Sequence, residues 1–334
     1  MAISTLMRAM QISNPRGKFE LVKREIPVPL TNEVLIKVEA CGVCYGEAFI
    51  KEGFFSGLTY PRIPGHEVIG KIAKLGSEVD KWKVGDRVGV GWHGGYCHKC
   101  KECLRGNFWG CEKFIRTGIT RDGGYAEYMT ARSEAMIAIP AELESMEGAV
   151  LVCSGRIILA ALKDSGAQVD DVVAIHSLDG LGQLAVQYAV MMGFKTVVLS
   201  NGIAKEQLAY KLGAHAYIDT TAVDVVKKLN KLKGARAILC LPPNGKDIPA
   251  LIAGLEQNGK MVIITAAHET MRIYRELDRY FTDFAKGGLT VTPDSKIFTM
   301  EIPIVDIFPL EQAAKAYNKM MNSKVLFRKV LKMY

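Results

Sequence analysis

The chain has no apolar run long enough to cross a bilayer. Its longest, Ala149 to Leu162, is broken by Arg156, whereas a membrane helix needs about 20 predominantly apolar residues. It also lacks the charged-then-apolar N-terminal segment and small-residue cleavage site of a secreted precursor, so a cytoplasmic protein is expected. No block of five or six like charges occurs, and no basic stretch is interleaved with aromatics, although the formal net charge is +8. Dispersed lysines and arginines describe a solvated surface, and a nucleic-acid footprint has no support. Nor is there a biased tract: 49% hydrophobic and 23% charged is the balance of a globular enzyme. At 334 residues the chain suits two domains and can bury a large core.

The first third reads as short strands and turns. Glu33 to Ala40 mixes alternation with an apolar centre, as a half-buried strand does, and Val84 to Val90 has the same look around a Gly-Asp turn. Such a run predicts a β-barrel-like domain. The pattern changes after about residue 153. Val172 to Ile175 is a continuous apolar strand, followed by a glycine-containing loop and by helical spacing from Leu181 to Met192 that stops at Gly193. Strands at Thr196–Leu199, Ala216–Ile218, Ala237–Leu241 and Met261–Thr265 then alternate with helices at Lys205–Leu212, Val223–Leu229 and Ile248–Leu255. That alternation predicts a doubly wound parallel sheet, hence an α/β fold beside a β-rich domain. The tail from Ile302 returns to strand, helix (Leu310 to Met321) and strand, and is read as completing the first domain. The charged, tyrosine-containing stretch Glu269 to Thr299 is assigned no elements.

Cysteine is scarce, with eight in the chain, and concentrated. Cys97, Cys100, Cys103 and Cys111 form two C-x-x-C steps sharing a cysteine, with a fourth after seven more residues. Thiolates at these spacings can converge on one tetrahedral zinc with no ligand from elsewhere. A site so filled has no open position for substrate and serves to fix a loop. Disulfides or free thiols are the competing readings, and a cytosolic setting argues against the first. Cys41 and Cys240 read as small buried apolar residues. His93, His98, His215 and His268 lack a motif partner.

A second set is dispersed: Gly42-Val43-Cys44, Gly65-His66-Glu67 and Cys153-Ser154-Gly155. Together with the cysteine cluster, Asp122-Gly123-Gly124-Tyr125-Ala126-Glu127-Tyr128 and Phe308-Pro309-Leu310-Glu311-Gln312-Ala313, these stand in an order that resembles the zinc-dependent medium-chain alcohol dehydrogenases over nearly the whole chain. The resemblance implies a GroES-like catalytic domain from 1–153 and 291–334, with a Rossmann-type nucleotide-binding domain at 154–290. It implies a catalytic zinc on Cys44, His66 and Cys153 with an open fourth position. It also implies that Glu67 approaches or transiently binds the metal and that Glu47, where the family usually has aspartate, orients the histidine. Such a zinc lowers an alcohol's pKa or polarises a carbonyl, while a nicotinamide carries the hydride. A small-molecule substrate, two zincs, NADP or NAD, and a homo-oligomer (dimer or tetramer) follow by the same resemblance. Tyr45, Phe54, Phe55, Trp92 and Phe108 are candidates for an apolar pocket or for packing.

The cofactor side departs from the family. Its Gly-x-Gly-Gly-x-Gly loop here reads Ser177-Leu178-Asp179-Gly180-Leu181-Gly182. Gly180, Leu181 and Gly182 remain to meet a pyrophosphate. Asp179, however, adds bulk and negative charge at a helix N-terminus, where its carboxylate can cap the amides meant for phosphate. Gly46 replaces the usual Ser or Thr that starts the proton relay, and Ile157, preceded by Arg156, replaces a Thr facing the nicotinamide. Ser200-Asn201 with Lys205 stand where an acid would bind the NAD ribose, which leans towards NADP. Arg328 matches an arginine that touches the pyrophosphate, a plain surface charge being the other reading. Three functions stand at this point. One is a zinc oxidoreductase. Another is a redox-neutral zinc enzyme using the same metal, with Asp179, His176 or Tyr45 acting in the vacated cleft. The third is a non-catalytic zinc-stabilised protein.

Overall fold

Val34, Leu35 and Ile36 are all buried, and burial on both faces explains why the strand Glu33–Val43 lies inside a sheet rather than at its edge. The computed structural model describes residues 5–55, 57–241, 248–264, 305–322 and 328–333. They divide after Cys153 into two compact units, the C-terminal strands joining the first. The boundary expected at 290/291 and the stretch Glu269–Thr299 lie outside the described residues.

In the first unit a seven-stranded sheet runs in the order Val305–Pro309, Arg328–Lys332, Glu33–Val43, Val68–Leu75, Arg87–Val90, Met136–Ala138, with Tyr128–Arg132 also pairing Glu33–Val43. Two registers matter for function. Cys41 faces Val68 across one antiparallel ladder, so the end of one strand meets the start of the next. Lys329 faces Val43 across another, which brings Arg328 to the same end. The core beneath holds Ile36, Val38, Val68, Val88, Met129 and Leu331, each full burial contributing about 1.5–3 kcal/mol. The strand expected from Val84 starts only at Arg87. Gly85 has φ +95°, and the Asp86 carboxylate accepts from the Lys83 amide at 2.8 Å, so the preceding residues form a turn.

The second unit holds a parallel sheet in the order Ala216–Asp219, Lys195–Ser200, Val172–His176, Ala235–Cys240, Leu255–Ile263. Strand order reverses about Val172–His176, which makes the loop after that strand a switch point, where such sheets bind ligands. Val173, Ala174 and Ile175 are fully buried because helices cover both faces. The helix Gly180–Met191 follows and ends at Gly193, whose φ of +82° is that of a helix-stopping glycine. The helix expected at Ile248–Leu255 is instead a 3-10 helix, Pro249–Gly254. Proline at its start and glycine at its end leave too few residues for an α-helical ladder.

The apolar stretch Ala149–Leu162 belongs to a 20-residue helical run, Ser145–Asp164, which by length and composition passes as a membrane span. The sequence reading of it as too short is corrected in that respect. Its most apolar stretch is 61% buried within the protein, as a core helix is. A π-helical turn, Leu151–Gly155, interrupts the run and carries Cys153.

Candidate active site

Four residues from three distant parts of the sequence offer donor atoms within 4.8 Å of one another: Cys44, His66, Glu67 and Cys153. The ladder between Glu33–Val43 and Val68–Leu75 makes this possible, since Cys44 follows one strand and His66-Glu67 precede the other. The Gly42 amide donates to the Glu67 carbonyl at 2.8 Å and clamps that junction. Gly65 is required there: at φ +102°, a Cβ would lie 2.5 Å from Tyr125 Cδ1 and 2.8 Å from Cys41 Sγ.

Two carboxylates hold the cluster from behind. Glu47, fully buried, places Oε1 2.8 Å from His66 Nδ1, while its Oε2 accepts from the Cys44 amide at 2.7 Å. With Nδ1 so held, Nε2 is the ring's remaining donor. The longer side chain at position 47 therefore reaches the histidine. Glu67 is gripped by Arg328, whose Nη2 lies 2.5 Å and 2.8 Å from its two oxygens. Burial lifts the Glu67 carboxyl to about 7, against the pull of Arg328. A hydrogen bond with Cys153 draws the Cys44 thiol well below its ordinary value against burial, and the same bond with burial pushes Cys153 well up. Burial pulls His66 down, but Glu47 and Cys44 outweigh it and leave the imidazole well above its usual value. Two sulfurs and two carboxylates thus face one arginine and one imidazole. Buried anionic character of this kind fits a dication, and Cys2His with an adjoining carboxylate is a zinc donor set.

Trp92 stands over this histidine, ring centroids 4.8 Å apart and planes perpendicular. A Cβ at Gly46 would come within 2.8 Å of His66 Cε1 and 2.9 Å of Trp92 Cζ3. The space of a relay hydroxyl is therefore filled by indole. Phe55 packs on Trp92 at 5.8 Å and Phe49 on Phe55 at 5.5 Å, while Tyr45 and Phe54 are exposed. Phe49 was not singled out by sequence; its place three residues after Gly46 on the helix Gly46–Glu52 was the available signal. Phe108 lies elsewhere, stacked on Tyr96 at 4.1 Å in the cysteine loop.

In that loop Cys97, Cys100, Cys103 and Cys111 also converge within 4.8 Å, with all four sulfurs free of disulfides. Backbone amides point at sulfur: Cys97 N to Cys111 Sγ at 3.3 Å, Cys100 N to Cys97 Sγ at 3.4 Å and Lys113 N to Cys111 Sγ at 3.3 Å. Amides from Lys99 and Cys100 lower the Cys97 thiol to about 6, whereas burial raises Cys103 to about 12. Amide donors aimed at sulfur suit thiolates, and four thiolates suit a closed zinc site.

In the second unit the loop 177–182 keeps a glycine-like path. Ser177 has φ +89°, the left-handed region, and a Cβ at Gly182 would lie 2.1 Å from the Ser177 carbonyl oxygen. Asp179 takes the N-cap position of Gly180–Met191, but its carboxylate does not cap the helix. It accepts from Ser177 Oγ at 3.0 Å and from Lys205 Nζ at 2.7 Å, so the capping expected from sequence does not occur. Ser200 is buried, and Asn201 Oδ1 accepts from Thr220 Oγ1 at 2.5 Å.

Residues 31–141 match the model of the alcohol dehydrogenase GroES-like domain, and residues 180–291 that of the zinc-binding dehydrogenase. The chain is 38% identical over 321 residues to the alcohol dehydrogenase notN of an Aspergillus species, covering 92% of each chain. It is 31% identical to an alcohol dehydrogenase of Geobacillus stearothermophilus, covering 98% of this chain and 99% of that one. This chain belongs to the zinc-dependent alcohol dehydrogenase family. The fold agrees: a CAD of Helicobacter pylori, solved with NADP(H), superposes with a TM-score of 0.79 at 22% identity over 99% of both chains. As an alcohol dehydrogenase it is an oxidoreductase acting on small molecules, which decides for the redox reading over the redox-neutral and non-catalytic ones.

Among alcohol dehydrogenases its departures now have physical surroundings. Gly46 is matched to Trp92, and Asp179 to Lys205. Arg156 is exposed and Ile157 half-buried at the start of the helix Arg156–Asp164; nothing in the structure explains the change at 157. Sequence reasoning missed the grip of Arg328 on Glu67, a pair 261 residues apart that only the C-terminal ladder reveals.

Proposed function

We propose that this alcohol dehydrogenase interconverts a small alcohol and its carbonyl compound using NAD or NADP, with catalytic zinc on Cys44, His66 and Cys153. The observation that carries the reading is the four-donor cluster within 4.8 Å, backed by the Glu47–His66 contact. Zinc there supplies a Lewis acid for the substrate oxygen, and the nicotinamide supplies or accepts hydride. Glu47 fixes the ring of His66, and Arg328 holds Glu67 beside the donors and partly opposes the upward push of burial on its carboxyl. Trp92 shields the histidine edge from water. Gly46 passes no proton, so proton transfer to solvent does not run through a side chain at that position.

Cys97, Cys100, Cys103 and Cys111 hold a second, structural zinc. Gly180, Leu181 and Gly182, with Ser200, Asn201, Lys205 and Arg328, serve the dinucleotide. Residues 1–153 with 291–334 form the catalytic domain and 154–290 the nucleotide domain. The enzyme is a soluble cytoplasmic homo-oligomer, dimer or tetramer, in keeping with its family.

Titration of the purified chain with NADH and NADPH, followed by fluorescence, tests this together with metal analysis. Binding at about micromolar to submillimolar cofactor, two zincs per chain and alcohol-dependent cofactor reduction are expected. One zinc per chain, or no cofactor binding at about millimolar concentration, overturns it.

A further inference from the structure

The dinucleotide loop carries a charge that a pyrophosphate should not tolerate, and the structure shows what has been placed against it. Asp179 sits at the N-cap with extended backbone, and its carbonyl accepts the first helical bond, from the Gln183 amide at 3.0 Å. Its side chain turns away from the helix to Ser177 Oγ and Lys205 Nζ. Lys205 comes from the loop after the next strand, which is itself pinned: the Gly202 amide donates to Asp219 at 2.8 Å, and the Tyr217 hydroxyl donates to the Gly202 carbonyl at 2.5 Å. The ion pair is partly shielded, with side chains 28% and 38% exposed.

We infer that Asp179 and Lys205 are a mutually neutralising pair, and that Lys205 is a positioning residue serving NADH and NADPH alike rather than a reader of the ribose 2′-phosphate. The inference rests on the cofactor reading proposed above. With Asp179 cancelled and turned aside, its carboxylate leaves uncapped the N-terminus of Gly180–Met191, where backbone amides and helix dipole favour an anion. The ribose end then has little with which to discriminate. Residues 200–205 offer no carboxylate to repel a 2′-phosphate, and their single cation, Lys205, is engaged by Asp179. The three positions form one unit: Ser177 supplies a hydroxyl that the family glycine lacks, Asp179 receives it, and Lys205 balances the charge.

The test is equilibrium binding of NADH and of NADPH to the zinc-loaded full chain, by fluorescence or calorimetry, for the parent, Lys205→Met, Lys205→Gln, Asp179→Gly and the double variant Asp179→Gly with Lys205→Met. Far-UV circular dichroism confirms that each is folded. Loss of Lys205 exposes the Asp179 charge beside the phosphates, and both cofactors should weaken by the same factor, roughly tenfold. The double variant should return to within roughly threefold of the parent for both cofactors. Asp179→Gly alone should tighten both. Weakening confined to NADPH in the lysine variants makes Lys205 a 2′-phosphate ligand and overturns the inference. So does a double variant that fails to recover. Binding absent from the parent but present in Asp179→Gly shows that the charge is not neutralised, again overturning the inference while sparing the scaffold's function. Binding absent from every variant overturns the functional reading itself, and the inference with it.

Discussion

Around Cys44, His66 and Cys153 the donor atoms are kept and their surroundings rebuilt, with Trp92 in the space where a relay hydroxyl would stand. In the loop 177–182 the reverse holds: the backbone path is kept and the side chains lining it are exchanged. The contrast follows from what each site asks of the chain. A metal centre is specified by atom type and tolerates change behind its ligands as long as they stay oriented. A phosphate loop is specified by backbone amides, so its side chains can vary if their charge is balanced and the turn still closes.

If the donors are the invariant of the first region, His66→Ala should have the largest effect. Turnover is expected to fall by roughly a thousandfold or more, about 4 kcal/mol of barrier, with one zinc lost and the other retained. Zinc content beside kcat for the folded variant checks this, and full occupancy of both sites would remove His66 from the ligand set. Cys103→Ala separates the two zincs. Removing this buried thiol should release the metal of the cysteine loop and cost about 3 kcal/mol or more of stability, while activity per folded molecule survives below the new melting point. Activity lost in step with zinc and not with folding would give that loop a role in chemistry.

The orienting carboxylate tests how far the rebuilt surroundings matter. Glu47 reaches His66 Nδ1 at 2.8 Å and also accepts from the Cys44 amide, so it ties two ligands together. Glu47→Ala should weaken zinc about 10–100-fold in chelator competition, and Glu47→Gln should recover part of that loss. Equal zinc affinity in parent and alanine variant would leave Glu47 a packing residue.

How much of this was legible beforehand differs between the regions for the same reason. The four cysteines of the loop were legible from their spacing, whereas Cys44, His66 and Cys153, far apart in sequence, could be grouped only through the family resemblance of the short motifs that carry them; both groups do converge in the structure. The parallel sheet was legible because strands buried on both faces are continuously apolar, as at Val172–Ile175. Side-chain direction was not legible. Asp179 at a helix N-terminus is a natural cap, yet its carboxylate goes to Lys205, 26 positions away, because a fixed cation outcompetes two amides for it. Trp92 over His66 and Arg328 on Glu67 are tertiary outcomes with no local sequence signal, and the Pro249–Gly254 segment shows proline and glycine overriding an apolar pattern that reads as helical.

Restoring family residues one at a time breaks the comparison most directly. Gly46→Ser replaces the relay hydroxyl, but its Cβ lands 2.9 Å from Trp92 Cζ3 and 2.8 Å from His66 Cε1. Overpacking of that kind costs about 1–3 kcal/mol, and moving a ligand ring should lower activity as well. Gly46→Ser combined with Trp92→Leu should recover both, measured as melting temperature and kcat/KM. A single variant as active and stable as the parent would show that the indole moves freely and is not matched to position 46.

Ser177→Gly should have the smallest effect, and its sign is informative. Serine at φ +89° bears a left-handed strain of about 1–3 kcal/mol that glycine does not. Against this, glycine adds about 0.4–1 kcal/mol of unfolded-state entropy and removes the partly exposed hydroxyl bond to Asp179. The balance favours glycine by about 1 kcal/mol or less, a rise in melting temperature of roughly 2 °C for a domain of this size. A fall instead of a rise would mean that the Ser177 hydroxyl contributes more through Asp179 than its backbone costs. The serine would then be a net stabilising member of the charge-balancing unit, its bond to Asp179 outweighing the strain of the glycine path.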